Sequence, residues 1–409
     1  MYSGISGLRN FQTKLDVIGN NIANVSTAGF KKGRVTFKDA MSQMSAGASA
    51  ATENRGGKNS MQVGLGSSLS TIDTIHTGSS LQTTNRPEDL AIQGDGYFVV
   101  KEDNAEYYTR AGNMYLDNNG TLVNGDGYKV QAYQVDDKGN VSSAYGNVTI
   151  NVNALLPATT TSEITISGNL DPNTLEDEIF TQQIKVVDDK GKEHTIDVHY
   201  KKTSPPPTAP TAQTWDVYFN QDIDTIKAGT GTVTTKLSID PAGVTTIATN
   251  PISIGPLPGA TAASTITLDA TDLTSTAGSG ISIMSAPNGF TAGKLESFSV
   301  GAMGEINGVY SNGQVATLGR LAIAKFSNTS GLNKAGGNLF QETINSGVAN
   351  IAAAGDGRGT IASGTLEMSN VDLSEEFTEM ITAQRGFQAN TRIITTSDEI
   401  LQELVNLKR

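Results

Sequence analysis

The run EHTIDVH carries His194 and His199, two of the chain's three histidines, and is its nearest approach to a metal-ligand pair. On a strand, an offset of five sends two side chains to opposite faces, so these imidazoles cannot converge on one ion. They are expected as exposed strand residues, and no metal site is expected. GDGRG at Gly355–Gly359 has Thr360 where the third glycine of a dinucleotide loop belongs, and no strong strand precedes it. It reads as a flexible turn. DNNGTL, Asp117–Leu122, looks like a calcium loop, but its glycine falls at loop position four where the sharp bend needs six, so a hairpin turn fits better. No GxxxxGKS/T, GxSxG or HExxH occurs. The absence of cysteine removes thiol nucleophiles, thiolate metal sites and disulfides. Carboxylate pairs carry no local signature. No catalytic, cofactor-binding or metal residue is therefore assigned, no cofactor is expected, and the chain is not read as an enzyme.

Chemistry being absent, the elements themselves carry the information. A length of 409 residues predicts two to three domains. The 29 Lys and Arg against 41 Asp and Glu leave a charge of -12, which opposes capture by phosphate backbones and argues against a nucleic-acid role. Only 17% of residues are charged and 44 are glycine, which predicts a polar, loop-rich surface. No apolar stretch approaches the roughly 18 residues of a membrane span, and MYSGISGLRN lacks a basic region followed by an apolar one. Neither membrane insertion nor a Sec-type signal is expected.

The two ends read as helix. Leu8, Phe11, Leu15, Ile18, Ile22 and Val25 fall at spacings 3, 4, 3, 4, 3, the a/d pattern of a coiled coil, and Gly29 offers a stop. Toward the other end Leu373, Met380, Phe387, Ile394 and Leu401 form a column at intervals of seven, flanked by Phe377, Ile381, Ile393, Ile400, Leu404 and Val405. Asp372 is a plausible N-cap with Glu375 three residues on, and Lys408 and Arg409 suit the negative end of the dipole. Gln384, Thr391 and Asp398 narrow the apolar seam to the width a helix–helix contact uses. Such ends bury their stripes against each other or against neighbouring copies. With no evident partner in the β region, the second route predicts a polymer and, for a free monomer, protease-sensitive ends with a resistant core of about residues 70 to 360.

Between the ends the signal is period-two alternation. In TWDVYFN, Trp215, Val217 and Phe219 share a face, and in TIDVHY so do Ile196, Val198 and Tyr200. DDKG recurs at Asp136–Gly139 and Asp188–Gly191, where hairpin turns are expected. Past residue 149 the chain becomes Thr-rich and punctuated by Pro205, Pro206, Pro207, Pro210, Pro251, Pro256 and Pro258, the texture of an inserted module. The fold class read from these patterns is mainly β, with two antiparallel modules and terminal helices forming a coiled-coil-like inner domain. Its parts are 1–30 with 365–409 (helical), 31–77 (linker or extended arm), 78–148 with 291–364 (middle β domain) and 149–290 (inserted outer β domain).

NNIANVSTAGFK (Asn20–Lys31) and GTLEMSNVDLSEEFTEMITAQRGFQANTRIITTSDEIL (Gly364–Leu401) closely resemble the terminal signatures of bacterial flagellar axial proteins, the rod/hook family. LAIQGDGYFVV (Leu90–Val100) and the tract Tyr310–Phe340 resemble its hook branch. The resemblance implies a non-enzymatic subunit of a curved helical tube that joins rod to filament and passes torque round a bend. It implies export through the flagellum's own type III apparatus and an extracellular place in the flagellum. The partners implied are further copies of the chain, rod and hook–filament junction proteins, and the hook cap. It places assembly contacts at Leu8, Phe11, Leu15, Ile18, Ile22, Val25, Leu373, Phe377, Met380, Phe387, Ile394, Leu401 and Val405. Family-motif positions are Asn20, Asn21, Asn24, Gly29, Asn370, Asp372, Gln384, Arg385 and Asn390, and the three amino-terminal asparagines either fix helix register or form a solvated flank. Without cysteine, the thiol-derived subunit links of some spirochaete members are closed to this chain. A rod subunit is the nearest alternative, on the argument that rods are shorter. A secreted β-rich adhesin or enzyme is a remote one.

Overall fold

The computed structural model describes residues 2–50, 55–135, 141–151, 155–204, 212–240, 244–254, 264–355 and 357–407. The first DDKG copy, Pro205, Pro206, Pro207, Pro210, Pro256, Pro258, Asp356, Lys408 and Arg409 lie outside the described residues. The fold is mainly β with a long helix at each end. It divides into two compact units, one of residues 1–151, 298–308 and 317–409, the other of 152–297 and 309–316.

In the first unit the N-terminal helix Tyr2–Ala23 and the C-terminal helix Leu373–Leu407 run antiparallel, Gly4 lying by Ile393 and Ile394, and Asn21 by Glu376. At 1.5 Å per residue they are about 33 and 52 Å long, so the last turns of the longer helix pass beyond its partner. Asp372 caps the C-terminal helix as expected, its Oδ1 accepting from the backbone N–H of Ser374 (2.8 Å) and Glu375 (3.3 Å).

Residues 31–77, expected as a linker or arm, carry four strands. Gly33–Asp39 pairs antiparallel with Ser67–Thr74, and Ser42–Ala46 with Met61–Gly64. This ribbon escaped the sequence reading because both faces of its far pair are exposed, so no buried side imposes alternation. Its near end flanks the N-terminal helix, where Asn10 Nδ2 donates to Ser67 Oγ (2.7 Å), which corrects the expectation that the stripe lacks a β partner.

The β module of this unit is built on Tyr97–Glu102, Ala105–Thr109, Lys129–Val135, Leu339–Gln341 and residues 317–325. Its aromatic core unites Tyr97, Tyr108, Phe326 and Phe340 with Val99 and Ala322. DNNGTL forms the expected turn: Asp117 Oδ1 accepts from the N–H of Asn119 and Thr121, and Gly120 takes the left-handed φ of 78°. Two short pairings, Leu90–Gln93 with Thr360–Ser363 and Leu81–Thr83 with Thr365–Glu367, bring the returning chain beside the outgoing one.

The second unit is a sandwich. One sheet takes Ile179–Val187, Glu193–Lys202, Gln213–Phe219, Thr235–Ile239 and Thr245–Ile247 in chain order, all antiparallel. The other centres on Glu163–Asn169, which runs parallel to Ser264–Asp269 and Leu273–Thr274 and antiparallel to Ser282–Pro287. Trp215, Val217, Phe219, Ile196, Val198 and Tyr200 fill the core between them, the faces that alternation predicts. Asp188–Gly191 makes the hairpin turn expected of it.

Candidate functional site: the junction of the two chain ends

The family-motif asparagines sort by burial. Asn21 is buried, donating from Nδ2 to Gly33 O (2.9 Å) and Glu376 Oε2 (3.1 Å) while its Oδ1 accepts from Gly33 N–H (2.9 Å). One side chain thus pins the N-terminal helix to the ribbon and to the C-terminal helix. Asn20 is exposed and Asn24 half-buried; Asn24 Nδ2 donates to Asn20. Asn370 accepts from Lys32 N–H at Oδ1 (2.7 Å) and donates from Nδ2 to Ile75 O (2.8 Å). Gly29 adopts φ 71° with its Cα so close to Ala111 that a Cβ would lie 2.5 Å from the Ala111 nitrogen. Only glycine fits there, and its N–H donates to Glu367 O (2.8 Å).

Below this seam lies a buried charge cluster that no local motif announces. Glu367 accepts from Lys31 Nζ at 2.6 Å, from Arg110 Nη1 at 3.3 Å, and from the N–H and hydroxyl of Ser79. Lys31, Glu367 and Arg110 are at most 4% exposed; Lys31 also donates to the carbonyl of Thr77 and Arg110 to those of Ile92 and Gly94, while the buried Arg110 Nε has no partner among the described residues. Burial pulls the Lys31 pKa below its usual value, against the pull of Glu367. His76 bonds Tyr97 OH through Nδ1 (2.7 Å). Burial first, then Lys31, Lys334 and Arg110, depress its pKa to about 4, so it is neutral near pH 7. One carboxylate therefore ties the segment after the N-terminal helix, the β module and the segment before the C-terminal helix.

The helix seam is offset from the apolar column read in the sequence. The C-terminal helix buries Glu376 and Ala383 and half-buries Met380, Gly386, Asn390, Ile394 and Ser397 toward its partner. Small residues let the backbones approach: a Cβ on Gly386 would meet the Phe11 ring at 2.5 Å, and one on Gly7 would meet Asn390 Nδ2 at 2.8 Å. Burial raises the Glu376 pKa, and Lys14–Glu379 (3.2 Å) and Lys32–Glu375 (2.6 Å) bridge its flanks. On the N-terminal helix Ile18 is buried, while Leu8, Phe11, Leu15 and Ile22, with Val25 just past its end, are half-buried. Much of the other stripe faces outward. Leu373, Phe377, Ile381, Phe387, Ile393, Ile400, Leu401, Leu404 and Val405 are all exposed, as are Gln384 and Arg385.

The histidine expectation needs correcting. His194 and His199 are buried: His194 Nε2 meets Asp188 Oδ2 at 2.9 Å, and His199 bonds Thr181 Oγ1 (2.8 Å) and Gln221 O (2.9 Å). The residue pattern hid this because their partners come from a turn and a neighbouring strand. His76 is half-buried. Among the described residues no three of His, Cys, Asp and Glu group as metal ligands do, and no helix is long and apolar enough to cross a membrane.

Four family models cover most of the chain. They are the flagella basal body rod protein model at residues 1–31, the flagellar hook protein FlgE/F/G D1 domain at 91–170, the flagellar basal body protein FlaE D2 domain at 155–290 and the flagellar basal body rod FlgEFG protein C-terminal model at 362–407. The flagellar hook protein FlgE of Treponema pallidum (strain Nichols) is 36% identical over 468 residues, spanning 100% of this chain and 99% of its own. The chain belongs to the flagellar hook and rod family. The FlgE of Escherichia coli K12 is 33% identical, over 99% of this chain and 98% of its own. The flagellar basal-body rod protein FlgG of Bacillus subtilis (strain 168) is 40% identical over 411 residues, 100% of this chain and 98% of its own. The crystal structure of the Helicobacter pylori hook protein FlgE2 shares the fold, with a TM-score of 0.55 at 16% identity over 70% of this chain and 100% of that one. The family is structural, and its place is the bacterial flagellum.

Proposed function

We propose that the chain is the repeating subunit of a flagellar hook, a curved tube of many copies that carries torque from rod to filament. The observation that supports this most is the C-terminal helix, which keeps an apolar stripe from Leu373 to Val405 exposed although a second helix already lies along it. A run of large apolar side chains of this length marks an association surface. In this reading Leu8 to Val25 set the helix pair within each copy. Leu373, Phe377, Phe387, Leu401 and Val405 pack between copies, forming the inner layer, while Met380 and Ile394, half-buried toward the N-terminal helix, belong to the pair within each copy. In this reading the helical ends (1–30 and 365–409) form the inner layer of the tube, and the middle β domain (78–148 and 291–364) and the inserted β domain (149–290) read from the sequence build the rest of each subunit. Stiff inner helices and polar outer contacts that slide suit a tube that bends as it turns. The chain leaves the cell through the flagellum's own export apparatus and meets rod, junction and cap proteins at the ends of the tube.

The test is to concentrate the purified chain and image it in negative stain. Hollow curved tubes are expected; a chain that stays monomeric at every concentration overturns the reading. The rod alternative keeps one specific support, the 40% identity to a rod protein, and straight tubes decide for it.

A further inference from the structure

The β module presents two unlike surfaces. The loop between Leu339–Gln341 and Asn350–Ala353 holds up Ile344 and Val348, which are 105% and 85% exposed. The loop is stapled rather than slack. Thr343 Oγ1 donates to Gly331 O, the fully buried Ser346 bonds Thr343 through its N–H and hydroxyl, and Asn328 Nδ2 donates to Asn345 O. Glu342 stands at its base, and Ala349 N–H donates to its Oε2 (3.3 Å). Two apolar prongs are thus held ready, with little ordering entropy left to lose on docking.

In the same unit a cavity of about 160 Å³ is lined by Phe30, Leu339 and Phe340 and, among polar side chains, by Asn20, Lys31, Lys334 and Asn338. A space of about 150 Å³ takes a group the size of benzene, so the apolar side formed by Phe30, Leu339 and Phe340 has room for one branched aliphatic side chain. Lys334 Nζ sits 5.4 Å over the Phe30 ring, and among the described residues no carboxylate pairs with it.

We propose that Ile344 of one copy seats in the Phe30–Phe340 socket of the next, with Val348 at the rim and Glu342 facing Lys334. The occupant is a second copy because the chain carries both halves: apolar prong and carboxylate on one, apolar socket and ammonium on the other. A contact joining two different patches propagates from copy to copy rather than pairing off. The inference rests on the homopolymer reading and assigns it a specific surface in the β module.

The absence of cysteine makes a clean test, using full-length chains. Chains carrying Ile344→Cys are mixed with chains carrying Asn20→Cys and oxidised; Leu155→Cys, exposed in the other unit, replaces Ile344→Cys in the control. The expected result is a heterodimer at least about ten-fold above the control, with the concentration needed for tube growth about ten-fold higher in the Ile344→Ser, Val348→Ser chain, as for an anchor residue. Because both side chains are exposed, that chain folds normally. Lys334→Glu alone should impair growth, and adding Glu342→Lys should restore it. Tubes growing normally from the Ile344→Ser, Val348→Ser chain, with cross-linking at control level, overturn the assignment and leave the homopolymer reading intact. A cross-link without tubes supports the contact and sinks the homopolymer reading, while neither tubes nor cross-link sinks both.

Discussion

Replacing Glu367 by Gln removes the one carboxylate that faces Lys31 and Arg110 and preserves its shape. Two cations then remain where at most 4% of either is exposed. Breaking a buried pair by losing one partner costs about 3–5 kcal/mol. Lys31 can escape by shedding its proton, which bounds its own share. Taking an amine of ordinary pKa 10.5 to neutral at pH 7 costs about 4.8 kcal/mol at 1.36 kcal/mol per unit. A loss of about 3–5 kcal/mol is therefore expected near neutrality. Its pH dependence has a definite sign: a lysine whose folded pKa lies below its unfolded value favours folding as pH rises, so the variant should recover from pH 7 toward 10. Adding Lys31→Met should recover most of the loss, because Arg110 keeps the carbonyls of Ile92 and Gly94. The assay is urea unfolding of dilute monomer followed by helical circular dichroism, since both long helices lie in the first unit. Trp215 is the sole tryptophan and lies in the other unit, so the midpoint of its fluorescence should not move. A change in the helical transition below about 1 kcal/mol, or one that Lys31→Met deepens, refutes the view that Glu367 compensates these cations.

Three further outcomes are expected. Gly386→Ala should weaken the helix pair despite the better helix propensity of alanine, because the added methyl meets the Phe11 ring; a loss of about 1–3 kcal/mol is expected in the helical melt, and Phe11→Leu in the same chain should return part of it. The His76 pKa, near 4 folded against 6.5 unfolded, makes the unfolded state the better proton acceptor. Stability of the first unit should therefore fall as pH drops from about 6.5 to 4, by up to about 3 kcal/mol, and His76→Gln should flatten that slope in acid titrations. Limited proteolysis of the monomer should first trim the C-terminal helix beyond Ser397, where the shorter helix no longer accompanies it, and should spare Ile18 and Asn21. This revises the expectation that both ends are lost together, and early cleavage within residues 8–25 would contradict it.

What the residue pattern revealed followed from what burial imposes on it. Both helices were readable because heptads record a continuous apolar stripe, and Asp372 because a cap is a local hydrogen-bond problem; that the two helices pair antiparallel within one chain was not, since a heptad stripe does not name its partner. The core face of Trp215, Val217 and Phe219 was readable for the same reason in a strand. The ribbon was not, since Met44, Met61 and Val63 face solvent in the single chain and record no inside. The Lys31–Glu367–Arg110 cluster was invisible because its members are far apart in sequence and each alone looks like a surface charge. The seam face was misplaced by a turn fraction because the reading followed large apolar residues, whereas close approach selects Gly7, Ala383 and Gly386.

The bond from Lys31 to Glu367 spans 336 positions. A chain emerging amino end first must hold Lys31 without its counter-ion until nearly all the remainder has appeared, and closing so long a loop is slow. Completion of the first unit is thus timed by arrival of the last few dozen residues. A nascent chain therefore cannot close this bond early, and the junction stays pliable until its carboxyl end is available.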